Sequence, residues 1–187
     1  DRSTADPSGI AVMLFFHGGG WTAGATFQPV FNASRLVELS TRVMVVTAAY
    51  RLGAMGYLGV QAMMNESGTA GNWGELDKIA AMQWVQRNAQ HFGGDAKRVM
   101  IYGRSAGAGS MAFHLVSPWS RGLFSRVGIH SGPVAQWVTR PMYAAQGQFD
   151  AAVQRTGCHG ASNAMECLRA VNASVLVAFN LRYPFPS

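Results

Sequence analysis

Ser105 stands in the segment YGRSAGAGS (102–110), with Gly103 two residues before it and Gly107 two residues after. A serine hydroxyl attacks a carbonyl only if it is exposed and has a general base beside it. The G-x-S-x-G spacing answers the first need: the serine projects from a sharp, strained turn between strand and helix, and the flanking glycines let that turn close where a Cβ would clash. A second cluster fits the same chemistry. The stretch AVMLFFHGGGW (11–21) runs apolar residues straight into Gly18, Gly19 and Gly20. Backbone N–H groups in such a turn can gather around the negative charge that a tetrahedral intermediate places on its oxygen. A glycine triplet can also cradle a phosphate, but no Lys-Ser/Thr pair follows this one, as a P-loop requires. The plain alternatives are a flexible turn and a Gly/Ser loop matching by accident.

Both clusters need strands to carry them. Short apolar runs with β-branched residues predict strands over 11–16, 43–49, 98–102 and 126–130. Helices are predicted over 34–41, 75–91, 105–116, 141–155 and 162–170. This alternation implies an α/β domain, its largely parallel sheet covered by helices on both faces and its working loops at the carboxyl ends of the strands. The glycine triplet and Ser105 each fall just past such an end. With no repeat, low-complexity stretch or interdomain linker, residues 1–187 read as one domain, long enough to bury a core.

An attacking serine also needs its base, and in strand-elbow-helix hydrolases an acid and then a histidine follow the serine along the chain. Each of the five histidines has a structural explanation. His17 belongs to the glycine-loop motif, His91 ends the long helix where it can cap carbonyls, and His114 lies on the helix after Ser105. His159 adjoins Cys158, and His130, at the end of a strand beside the site, is the one to watch. In the α/β-hydrolase fold, which this strand-elbow-helix order resembles, the acid and histidine sit on loops after later strands, and the resemblance implies that both lie beyond residue 187.

Five blocks occur in a fixed order: FFHGGGW (15–21), AAYRLGAMGYLG (48–59), GNWGELDKIAAMQWVQRNAQHFGGD (71–95), RVMIYGRSAGAGS (98–110) and GLFSRVGIHSG (122–132). Together they resemble the type-B carboxylesterases, which include the cholinesterases and share the α/β-hydrolase fold. The resemblance implies an acyl-enzyme ester hydrolase with Ser105 as nucleophile and the N–H groups of Gly19, Gly20 and Ala106 as oxyanion donors. It also implies a buried structural ion pair between Arg51 and Asp77 and a disulfide between Cys158 and Cys167. The implied partner is a small-molecule ester, with no metal and no organic cofactor. Against that family's pattern the opening and closing strands are missing, so the chain reads as an internal fragment, inactive by itself. Arg104 departs from the glutamate the family usually has before the nucleophile; it could oppose the catalytic imidazolium, bind an acidic substrate or point to solvent. Two other readings stay open, a non-catalytic cholinesterase-like adhesion module and an interfacial lipase.

Composition narrows the partners. The net charge is +6, but only 13% of residues are charged and the Lys and Arg residues fall singly, which argues against a nucleic-acid surface. No apolar run approaches the roughly eighteen residues of a membrane span. Sequons at Asn32, Asn65 and Asn172, with the cysteine pair, lead us to expect a glycosylated, secreted or extracellular-facing protein. Oligomeric state and acyl or alcohol preference are not legible.

Overall fold

The computed structural model describes residues 9–40, 42–132, 139 and 141–179. Four parallel strands, β1 (Ile10–Phe16), β2 (Val43–Thr47), β3 (Gly94–Arg104) and β4 (Arg126–His130), form one sheet in the order β2-β1-β3-β4. The chain moves outward from β1 to β2, then returns across β1 to build β3 and β4. The order therefore reverses between β1 and β3, the kind of crevice in which open α/β sheets bind ligands. Register completes the arrangement. Phe16 pairs with Gly103, and Gly103 with Ile129, so the loops leaving β1, β3 and β4 emerge side by side.

Eight α-helices accompany the strands among the described residues, five between strands and three after β4: α1 (Ser34–Leu39), α2 (Gly53–Tyr57), α3 (Gln61–Ser67), α4 (Trp73–Asn88), α5 (Ala106–Val116), α6 (Met142–Arg155), α7 (Ala164–Ala170) and α8 (Ala173–Ala178). Strand alternation fixes which side chains meet them. Val12, Leu14 and Phe16 of β1 and Val99 and Ile101 of β3 point to one face, where they pack with Ile79, Met82 and Val85 of α4 and Met111 of α5. On the other face Phe15 meets Phe31 and Tyr102, each at 4.9 Å between ring centroids, and α1 approaches β2. This is part of an α/β-hydrolase fold, with parallel strands and helices as expected.

A second, smaller core gathers Leu58, Val60, Met63, Phe149, Ala152 and Leu168 around Cys158. Cys158 and Cys167 are disulfide-bonded, with Cα atoms 5.8 Å apart. Between them Asn163 caps α7, its side chain accepting from the N–H groups of Met165 and Glu166. The sequence predicted nothing at α2, α3 or α8, which are short and lean on this second core. The strand expected at 98–102 is longer at both ends, because Gly94 already pairs with Ile10 ahead of an irregularity in the register. No helix among the described residues is long and apolar enough to cross a membrane.

Candidate active site

Ser105 joins β3 to α5 with φ 54° and ψ −119°. An L-residue seldom adopts a positive φ of this kind, and the strain persists only where neighbours over-determine it. The restraints are visible. Its N–H donates to the His130 carbonyl at 2.9 Å, and its own carbonyl accepts from Gly109 N–H at 2.9 Å. Glycines close the space around it: a Cβ on Gly103 would collide with the Gly107 carbonyl group, and one on Gly107 would collide with the Phe16 and His17 carbonyls. A Cβ on Gly132 would lie 2.5 Å from the Ser105 carbonyl oxygen. Backbone meets backbone at the ends of β1, β3 and β4, and the Ser105 side chain is left exposed.

The glycine loop lies against this elbow. A Cβ on Gly18 would be 2.6 Å from the Arg104 carbonyl oxygen and 2.9 Å from Ser105 Cβ. Each peptide of the loop is held by its carbonyl. Tyr50 donates its hydroxyl to the His17 carbonyl at 2.6 Å, His17 Nδ1 bonds the Gly18 carbonyl at 2.8 Å, and the N–H groups of Thr22 and Ala23 bond the Gly19 carbonyl at 3.1 and 3.0 Å. In a trans peptide the N–H points opposite to the C=O. Anchoring the carbonyls of Gly18 and Gly19 therefore aims the N–H groups of Gly19 and Gly20 away from the anchors, and among the described residues neither donates to a protein acceptor. Ala106 opens α5, where helix geometry gives its N–H no intrahelical acceptor. Because a carbonyl only accepts, His17 must carry its proton on Nδ1. Burial lowers the His17 pKa, the bond to Gly18 opposes this, and the nearby Lys78 charge adds to the lowering, so the ring stays neutral.

Beneath the loop lies a buried polar cluster that the sequence reading passed over. Lys78 Nζ and Glu75 Oε1 are 3.0 Å apart, both side chains almost wholly out of solvent. Ser110 donates to Glu75 Oε1 at 2.7 Å and accepts from Trp21 Nε1 at 3.0 Å. Lys78 Nζ bonds the Tyr57 hydroxyl at 2.7 Å, that hydroxyl donates to Glu75 at 3.1 Å, and Nζ lies 3.5 Å from the centre of the Tyr50 ring. His114 is also buried, with Nδ1 2.9 Å from Ser120 Oγ and Nε2 3.3 Å from Glu75 Oε2. Burial alone would push the Glu75 pKa up; the charge of Lys78, then His114 and Ser110, reverse this and hold it at about 2. A signal for the cluster existed, since Glu75, Lys78, Met82 and Val85 share one helical stripe.

Arg51 and Asp77 form a bidentate pair, with Nη2–Oδ1 at 2.7 Å and Nε–Oδ2 at 2.8 Å. It is not the buried pair expected: the two side chains are 48% and 26% exposed, because Asp77 faces away from the α4 stripe that packs on the sheet. Arg104 is exposed and bonds no carboxylate among the described residues. His91, His130 and His159 are exposed. Among the described residues no imidazole is hydrogen-bonded to the Ser105 hydroxyl, and no three His, Cys, Asp or Glu side chains converge as a metal-binding group. The three sequon asparagines are exposed; Asn32 and Asn172 accept from Ser34 and Ser174 N–H, each at 2.9 Å, while Asn65 lies on α3.

A sequence profile of the carboxylesterase family matches residues 2–184. The chain belongs to that family. Among its curated relatives, Cholinesterase 1 of Branchiostoma lanceolatum is 38% identical over 176 residues, an alignment covering 91% of this chain and 48% of that protein. Acetylcholinesterase of Bungarus fasciatus is 36% identical over 91% of this chain and 28% of its own length. Juvenile hormone esterase of Tribolium castaneum is 36% identical over 93% of this chain and 30% of its own length. The chain thus spans half or less of the carboxylesterase relatives it matches.

Proposed function

We propose that the protein carrying this chain is a serine carboxylic ester hydrolase with Ser105 as its nucleophile. The strained φ of Ser105, packed against a glycine loop whose outward N–H groups have no protein acceptor among the described residues, carries the reading. Ser105 Oγ attacks an ester carbonyl, and the N–H groups of Gly19, Gly20 and Ala106 hold the oxyanion. The alcohol leaves, and water then releases the acid from the acyl-enzyme. The serine proton goes to a histidine outside the described residues, backed by an acid. Relatives named as cholinesterases and a juvenile hormone esterase support an ester as the substrate class. The paired cysteines and exposed sequons support a secreted or extracellular-facing protein glycosylated at Asn32, Asn65 and Asn172.

A fluorophosphonate probe tests the assignment. It should label the parent stoichiometrically on Ser105, leave the Ser105→Ala variant unlabelled, and abolish ester turnover as it reacts. Labelling elsewhere, or turnover surviving in Ser105→Ala, refutes the nucleophile and leaves the fold to a binding role. Residues 1–187 expressed alone should hydrolyse an activated ester no faster than their Ser105→Ala variant.

A further inference from the structure

The buried Glu75–Lys78 pair is more than an ion pair out of place. It sits where α4 and α5 meet the underside of the glycine loop, and its contacts leave in two directions. One arm runs from Glu75 Oε1 through Ser110 Oγ, at 2.7 Å, to the Trp21 indole N–H, at 3.0 Å. Trp21 directly follows Gly20 and has φ 57°, one of four non-glycine residues with positive φ among the described residues, with Asn72, Ser105 and Ser131. The other arm runs from Lys78 Nζ, 3.5 Å from the Tyr50 ring centre, through Tyr50 to its 2.6 Å hydroxyl bond with the His17 carbonyl. His17 directly precedes Gly18, and its ring stacks on Tyr50 at 4.5 Å. The two arms grip the glycine triplet immediately before and immediately after it.

We propose that Glu75 and Lys78 are positioning residues for the oxyanion loop: from one buried pair they fix both ends of Gly18–Gly20, through Tyr50 and His17 on one side and through Ser110 and Trp21 on the other. This rests on the reading of Gly19 and Gly20 as oxyanion donors. The chemistry favours such a role. Two buried charges repay their desolvation poorly as simple glue, whereas a fully bonded buried network has few alternative arrangements and so specifies geometry. The cluster meets that condition at Glu75 Oε1 and Lys78 Nζ, from which both arms leave; Glu75 Oε2 and His114 Nε2, 3.3 Å apart, are buried without a hydrogen bond among the described residues. Glu75 Oε1 accepts from Ser110, Tyr57 and Lys78, and Lys78 also bonds the Tyr57 hydroxyl. Oxyanion catalysis depends on donors placed for the transition state, and a misplacement of about 1 Å lowers rates roughly a hundredfold.

The test cuts each arm by one atom in the full-length protein. Ser110→Ala removes the link between Glu75 and Trp21; Tyr50→Phe removes the hydroxyl on His17 while keeping the ring over Lys78. A Glu75→Leu/Lys78→Met double variant removes both charges together, so that neither is left buried alone. For each variant that melts as a folded protein, kcat should fall about ten- to a hundredfold with KM within about threefold. A trifluoromethyl ketone, which forms a tetrahedral adduct, should lose affinity in step with kcat. Hydrogen exchange of a peptide covering 16–23 should quicken while the second core around Cys158 keeps the parent's protection. Unchanged exchange and unchanged kcat in folded Ser110→Ala and Tyr50→Phe would overturn the proposal, as would a rise in KM alone. If Ser105→Ala retained turnover, the nucleophile assignment would fail separately, and the exchange measurement would still decide whether the clamp holds the loop.

Discussion

Replacing Ser105 by glycine should make the protein more stable than replacing it by alanine. Alanine keeps the Cβ, and with it the strain of φ 54° and ψ −119°; glycine removes both. The hydroxyl is exposed and has no bond to the described residues, so its loss is common to the two variants and changes little. Backbone strain of this kind amounts to roughly 1–3 kcal/mol. Glycine gives back about 0.5–1 kcal/mol through the extra freedom of the unfolded chain. The expected difference is therefore about 1 kcal/mol in favour of Ser105→Gly, near the midpoint of a range that runs from about 0 to about 2.5. Urea unfolding of the two variants side by side measures it, as a shift of midpoint with unchanged slope. Equal stability, or a more stable Ser105→Ala, would mean that the elbow is not strained and that the positive φ is no sign of a nucleophile held against its preference.

Gly18→Ala would place a Cβ 2.9 Å from Ser105 Cβ and push the glycine loop off the elbow, so steady-state kinetics should show kcat lower by about ten- to a hundredfold with KM little changed. Cys158→Ser with Cys167→Ser should lower unfolding free energy in urea by about 2.5 kcal/mol, the loop entropy for a nine-residue separation. For Glu75, a folded pKa of about 2 against an ordinary 4.5 means that its contribution is complete above pH 4.5 and is lost as pH falls toward 2. That loss is on the order of 3 kcal/mol, and melting curves of Glu75→Gln should lack this component of the parent's acid destabilisation.

The sheet was legible because its strands advertise themselves. Val43–Thr47 and Arg126–His130 are short β-branched runs with a clear exit, and both start where the pattern says. The helix Gly53–Tyr57 was not legible, since two of its five residues are glycine and nothing local favours a helix there. Gly56 instead lies on the Arg51 backbone, where a Cβ would clash, so packing imposes the turn. The candidate site divides in the same way. Ser105 and the glycine triplet carry their chemistry in their spacing. Glu75 and Lys78 do not, because an acid and a lysine three apart on a helix usually form a solvated surface pair. Only their place on the same stripe as Met82 and Val85 betrays them. The exposure of Arg51 and Asp77 depended on the turn of α4 relative to the sheet, which no local pattern encodes.

The elbow is assembled from close main-chain approaches at Gly18, Gly103, Gly107 and Gly132, where the only side-chain atoms against the glycines are the Cβ atoms of Ser105 and Ala108. Its shape is consequently insulated from most amino-acid replacement. Residues that would line a substrate pocket can drift without disturbing the turn beneath them, whereas these four positions tolerate almost nothing. On that geometry a replacement at one of the four glycines would disturb the turn itself, whereas a replacement among the exposed side chains around it would leave the turn in place. Relatives named for quite different esters, sharing about a third of their residues with this chain, are what such a division would be expected to leave behind.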